Sequence, residues 1–179
     1  MTHYNPQDFE YLNTEHKSNT PVNIRDLWQT PKEIFNKLNN EFKFSMDVCA
    51  SHENKLVEHS YWTEKDNSLE QNWGFESWCN PPYSDITPWV KKAIEEHRQG
   101  CTIVMLVPAD TSVKWFKLAY ESCNEVRLIS GRISFINADT QKPVNGNNKG
   151  SVLFIWRGNA PKNSHTVTLI DRDDFYKGV

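Results

Sequence analysis

The chain has 179 residues, a mass of 20.9 kDa, and 37% hydrophobic and 12% aromatic residues, which suits one folded domain and excludes a disordered or low-complexity protein. No apolar run approaches the roughly 20 residues that span a bilayer, and Met1-Thr2-His3-Tyr4-Asn5 lacks a basic-then-apolar leader, so a soluble cytoplasmic protein with no membrane partner is expected. The net charge of −3 is unevenly divided: residues 1–97 hold 9 Lys and Arg against 16 Asp and Glu, and residues 98–162 hold 9 against 4, so the later stretch could present a basic face.

Residues 1–24 are polar, carry Pro6 and Pro21 and show no periodicity; they read as a flexible N-terminal arm, leaving 25–179 as a single domain. Thr30-Pro31-Lys32-Glu33 predicts a helix start, with Thr30 as cap, Pro31 in the first turn and Glu33 completing a capping box. Ile34, Phe35 and Leu38 follow at helical spacing. Phe42 to Val48 alternates like a strand and carries Asp47 near its end; Ser77-Trp78-Cys79 is a short strand running into Asn80-Pro81-Pro82-Tyr83. Thr87-Pro88 opens a helix to about Gln99, with Trp89, Val90, Ala93 and Ile94 on one side. The apolar run Cys101 to Val107, closed by Pro108, suits a strand buried on both faces. A helix over 112–122 and strands at 125–129, 132–136, 151–156 and 166–170 follow, with an Asn- and Gly-rich polar loop over 137–150.

Strands alternating with helices argue for an α/β sheet, with antiparallel strands added late in the chain. In such sheets ligands bind beyond the carboxyl ends of the strands, so Asp47 and Asn80 share one cleft if their strands are neighbours. Cys49, Cys79, Cys101 and Cys123 form no Cys-x-x-Cys pair and read as small buried hydrophobes, and the six His show no ligand spacing, so no metal is expected.

Asn80-Pro81-Pro82-Tyr83 carries the most chemistry. Two prolines stiffen the segment and remove two backbone donors, leaving its carbonyls free to accept. The Asn80 side-chain oxygen and the Pro81 carbonyl could together accept both hydrogens of one exocyclic amine, and Tyr83 offers a flat face for a planar ring. The same tetrapeptide also suits a plain strand-ending turn with an exposed Tyr.

Its neighbours favour the first reading. In chain order they are Trp28-Gln29-Thr30-Pro31, then Met46-Asp47-Val48-Cys49-Ala50, then Tyr61-Trp62-Thr63 with Asp66-Asn67-Ser68-Leu69 and Trp73. After these come Cys79 to Ser84, then Val107-Pro108-Ala109-Asp110-Thr111-Ser112 with Trp115-Phe116, and last Gly131-Arg132-Ile133-Ser134-Phe135. Over residues 26–157 these six blocks resemble the small phage and prophage DNA N6-adenine methyltransferases, often called Dam-like.

The resemblance implies a Rossmann-like class I methyltransferase fold, a compact α/β mixed sheet with antiparallel C-terminal strands, using S-adenosyl-L-methionine as cofactor and double-stranded DNA as substrate. Asn80, Pro81, Pro82 and Tyr83 would be catalytic. Trp28, Thr30, Pro31, Asp47, Cys49, Ala50, Asp66 and Asn80 look like cofactor-binding positions; the alternative for Asp66 is a helix cap or loop carboxylate. The chain departs from many methyltransferases in lacking a Gly-rich loop after the first strand, where Asp47-Val48-Cys49-Ala50 stands. Ser84, Arg132, Lys142, Asn145 and Lys149 are the DNA-binding candidates, since Asn pairs with adenine edges and Lys and Arg with phosphates. Trp89, Trp115 and Trp156 are assigned to packing. A cytosine-C5 mechanism needs a Cys nucleophile beside a Pro, and Cys79 precedes Asn80. Enzymes resembling RNA guanine-N2 or protein glutamine methyltransferases, and a DNA-binding relative that has lost catalysis, are the alternatives. One flipped base needs one active site, so a monomer is expected.

Overall fold

The computed structural model describes residues 26, 28–138, 140–144, 149–161 and 164–177; the expected arm over 1–24 and the candidate Asn145 lie outside them. Eight strands and three helices follow one another: β1 (Trp28–Gln29), α1 (Lys32–Phe42), β2 (Met46–Asp47), β3 (Glu76–Cys79), α2 (Thr87–Arg98), β4 (Thr102–Pro108), α3 (Lys114–Ser122), β5 (Glu125–Ser130), β6 (Ile136–Asn137), β7 (Ser151–Trp156) and β8 (Thr166–Asp171). Short 3-10 turns at Glu64–Asp66, Ser68–Glu70 and Arg172–Phe175 complete the described elements.

Six strands form the main sheet in the order β2-β3-β4-β7-β5-β8. β2, β3 and β4 are parallel, β7 inserts antiparallel between β4 and β5, and β8 lies parallel to β5. This is the mixed α/β sheet expected of a Rossmann-like methyltransferase. β1 and β6 stand apart as a two-stranded antiparallel ribbon, with Trp28 opposite Asn137 and Gln29 opposite Ile136.

The central strands are apolar on both faces because both faces are covered. In β4, Ile103, Met105 and Val107 meet α2 and α3 together with Phe154 and Trp156, whereas Val104 and Leu106 meet Ile34, Phe35 and Leu38 of α1 across the sheet. Residues 103–107 are fully buried, and each large side chain there stabilises the fold by about 1.5–3 kcal/mol. Cys79, Cys101 and Cys123 are buried thiols in or beside the first cluster, and Cys49 packs against it.

Three local expectations are corrected. The residue capping α1 is Pro31, without a side-chain bond; Thr30 caps nothing, and its hydroxyl is buried without a partner. The alternation at 42–48 is not a strand throughout: Phe42 closes α1, Lys43 turns left-handed (φ 55°), and only Met46–Asp47 pairs. That turn stacks Phe42 on Phe44 at 5.7 Å, and Asn39 Oδ1 accepts from Phe44 N at 2.8 Å, so a helix C-cap mimics the period of a strand. Of 132–136, Ile133 and Phe135 are buried as alternation requires, yet only Ile136, with Asn137, joins a strand, pairing with β1 instead of the main sheet.

Candidate active site

Parallel pairing of β2 with β3 sets Asp47 opposite Trp78, two residues before Asn80. Both strand ends open into a cleft of about 730 Å³, within the size range of small-molecule sites. Trp28, Thr30, Asp47, Cys49, Ala50, Asn80, Pro82 and Ser84, all singled out from sequence, line it.

Asp47 is 3% exposed and serves its own loop. Cys49 N donates to its Oδ1 at 3.2 Å and Leu56 N to its Oδ2 at 3.0 Å, so the carboxylate closes the loop that forms one wall. The loop's base is stitched further by Trp62 N to the Asp47 carbonyl at 2.9 Å and Ala50 N to the Trp62 carbonyl at 3.0 Å. Burial pushes the Asp47 carboxyl up to about 6, against the opposing pull of the Leu56 and Cys49 amides. Cys49 Sγ lies 3.4 Å from Cys79 Sγ, and burial followed by that neighbour pushes the Cys49 thiol up, so it stays protonated near neutral pH.

Asn80 is bonded in both senses. Its Nδ2 donates to the Trp28 carbonyl at 3.2 Å, and its Oδ1 accepts from the Tyr83 hydroxyl at 3.2 Å. Pro81 is buried. Tyr83 is half-buried between the two apolar clusters, with its ring edge-to-face against Trp28 (6.3 Å, 84°) and Phe135 (6.0 Å, 87°); burial raises its phenol well above the ordinary range.

Three buried polar side-chain atoms on cleft-lining residues have no protein partner: Trp28 Nε1, Thr30 Oγ1 and Ser68 Oγ. Burying such groups costs free energy unless something bonds them, so this donor set fits a bound polar ligand. Ser68 escapes sequence reasoning that selects Asp66 from the same block. Its position follows from the second 3-10 turn and from Trp73 Nε1, which donates to the Ser68 carbonyl at 3.0 Å. Asp66 closes the capping box of the first 3-10 turn, its Oδ2 accepting from the N-cap residue Thr63 through N at 2.8 Å and Oγ1 at 2.7 Å. The Thr63 hydroxyl and amide together hold its carboxyl below the ordinary value.

The DNA-binding candidates scatter. Ser84 is exposed at the rim, its amide donating to Asp26 Oδ1 at 2.9 Å. Arg132 and Lys142 are exposed, and the Arg132 carbonyl accepts from Arg172 Nη1 at 3.2 Å. Lys149 forms an ion pair with Asp110, just beyond β4. Burial works against that carboxylate, yet Lys149 and Ser112 hold it below its ordinary value. Of the three Trp assigned to packing, Trp156 is fully buried, Trp115 packs on the first cluster, and Trp89 both packs there and borders the cleft. Among the described residues no three His, Cys, Asp or Glu gather to hold a metal ion, and no helix is long and apolar enough to cross a membrane.

Comparison with known proteins gives the family. The family model described as DNA N-6-adenine-methyltransferase (Dam) matches residues 17–178. A DNA N-6-adenine-methyltransferase of Escherichia phage T1 is 41% identical over 158 residues, 78% of this chain and 66% of that protein. One of Haemophilus phage HP1 (strain HP1c1) is 37% identical over 153 residues, 83% of this chain and 88% of that protein. The chain thus spans just under two thirds of the T1 protein and most of the HP1 protein.

Proposed function

The chain belongs to the DNA N-6-adenine-methyltransferase family, and from that premise we propose that it transfers a methyl group from S-adenosylmethionine to the N6 amine of adenine in double-stranded DNA. The observation that carries the reading is the Asn80 amide. It is fixed at the carboxyl end of β3 and borders a cleft with three unpartnered buried polar groups.

Trp28, Thr30 and Ser68 would hold the methyl donor through those polar atoms, with the loop that Asp47 closes as the facing wall. When bound, S-adenosylmethionine supplies a methyl group already activated by its sulfonium. The chain's own task is then alignment of the acceptor and stabilisation of charge. Adenine N6 is a poor nucleophile because its lone pair is delocalised into the ring. Asn80 Oδ1 has a second lone pair beside the Tyr83 bond. With the Pro81 carbonyl it would accept both N6 hydrogens, favour a pyramidal amine and stabilise the positive charge that develops there. The base must leave the duplex to reach this point. Tyr83 would border it, and Ser84, Arg132 and Lys142 would meet the DNA around it. One chain acts on one flipped base, as a monomer in the cytoplasm.

The test is transfer from labelled S-adenosylmethionine to unmethylated plasmid DNA, followed by nucleoside analysis. N6-methyldeoxyadenosine is the expected product. Label in RNA or protein alone, or bound cofactor with no transfer to any acceptor, would overturn the assignment.

A further inference from the structure

We propose that the backbone carbonyl of Trp28 is a positioning group for transfer. It dictates which way round the Asn80 amide sits, and the β1–β6 ribbon dictates where that carbonyl is. This inference rests on the proposed function, which requires Asn80 Oδ1 to face the target amine.

A primary amide has two ends of nearly the same shape and opposite hydrogen-bonding sense. Tyr83 cannot select between them, because a phenol hydroxyl both donates and accepts. A backbone carbonyl only accepts. At 3.2 Å from Asn80, the Trp28 carbonyl therefore requires the amide nitrogen on its side, and Oδ1 turns to Tyr83 and the space beyond. A flipped amide would set two oxygens against each other and lose a bond.

That carbonyl reaches Asn80 from 52 positions earlier in the chain, and the Ser84 amide on Asp26 and the Tyr83 ring against Trp28 touch its segment without bonding the carbonyl itself. It is held by pairing of Trp28 with Asn137 and of Gln29 with Ile136, and by the Trp28 ring stacked on buried Phe135 at 5.7 Å and 17°. The ribbon is closed in turn by Asn137 N to the Lys142 carbonyl at 2.9 Å and Val144 N to the Phe135 carbonyl at 2.7 Å. The segment carrying Lys142 is thus bonded, through β6 and β1, to the catalytic amide.

Asn80→Asp tests the requirement for a donor, because a carboxylate accepts at both ends. If the Trp28 carbonyl sets the orientation, the variant at pH 8 transfers at least ~100-fold more slowly than wild type. Its rate relative to wild type then climbs by about tenfold per pH unit on acidification, as the protonated carboxyl regains a donor for Trp28. If the carbonyl has no such role, the carboxylate stabilises the developing cation as well as the amide does. The variant then matches wild type at pH 8 and loses ground in acid, and the proposal is wrong. A second readout is independent of activity: the Asn80 side-chain ¹⁵NH₂ pair, identified by its loss in the variant, should show one proton protected from exchange in the free protein. Two freely exchanging protons would overturn the positioning role even if methyl transfer is observed. Wild type that fails to methylate adenine while showing that protection would instead refute the function and leave the anchor standing.

Discussion

The two ends of the main sheet are both concave and both rich in polar groups, yet they are built differently. At the carboxyl ends of β2 and β3, Trp28, Thr30 and Ser68 leave buried polar atoms without partners around the cleft. At the opposite end, where β5 starts and β7 finishes, a second cleft of about 500 Å³ borders Glu125 and Arg157. There the charges complete one another. Arg127 grips Glu41 through two bonds of 2.7 and 2.8 Å and Glu125 through one of 2.5 Å. Arg157 reaches both carboxylates at 2.8 Å, and both guanidiniums lie over the Phe42 ring. Concavity and charge alone therefore do not distinguish the two ends; polar groups on the lining residues that the protein leaves without partners do. The contrast also discounts the basic stretch at 98–162, because Arg127, Arg157 and Lys149 already meet carboxylates inside the protein.

The largest effect that can break this contrast comes from Asn80→Ala. The site end should lose about 10²–10³ in kcat or more, because the acceptor proposed for the target amine is gone, while cofactor affinity stays within a few-fold. Equilibrium titration with S-adenosylmethionine beside single-turnover transfer separates the two. Lost cofactor binding with the transfer rate retained would move Asn80 out of the acceptor role.

Asp47 provides the next test. In the folded protein it keeps its proton to about pH 6, against an ordinary value of 3.8. The native state thus binds more protons than the unfolded chain in between, and stability falls as pH rises through that window. The cost approaches ~2–3 kcal/mol above pH 6. Asp47→Asn removes this titration, so its urea-unfolding free energy should lack the downward slope of wild type between pH 4 and 6. Parallel curves for the two proteins would mean that the carboxyl is not desolvated at the cleft.

How much of this was legible in the sequence depended on the range of the forces involved. α2 and β4 were readable because periodicity and a Pro at a helix start are local signals, whereas a shared cleft for Asp47 and Asn80 depended on their strands being neighbours, which the β2–β3 pairing supplies. The family resemblance was readable for a related reason, since its blocks are short contiguous runs. The β1–β6 ribbon was not: two-residue strands carry no periodicity, and their pairing joins Trp28 to Asn137 across most of the chain. Thr30 and Ser68 show the same limit from another side. A hydroxyl can cap or bind, and only the tertiary burial of both without partners distinguishes them. The ion pair of Lys149, a DNA-binding candidate from sequence, was hidden for the same reason, because Asp110 lies 39 positions away.

The smallest expected effect lies at the satisfied end. Glu41→Gln removes the bidentate partner of Arg127 and leaves two guanidiniums facing Glu125 alone. Because Glu41 is 41% exposed, solvent screens much of the attraction, and the loss should be about 1 kcal/mol or less. Hydrogen bonding from Arg127, opposed by partial burial and reinforced by Arg157, holds the Glu41 carboxyl below its ordinary 4.5. Its contribution is therefore complete above that value and disappears as pH falls through the lowered one. Unfolding free energies of variant and wild type should differ at pH 7, converge in acid, and converge at pH 7 as salt is raised. Throughout, kcat and cofactor affinity should not change. A fall in kcat in Glu41→Gln at unchanged stability would show that the far end of the sheet communicates with Asn80, and the division between a structural end and a chemical end would fail.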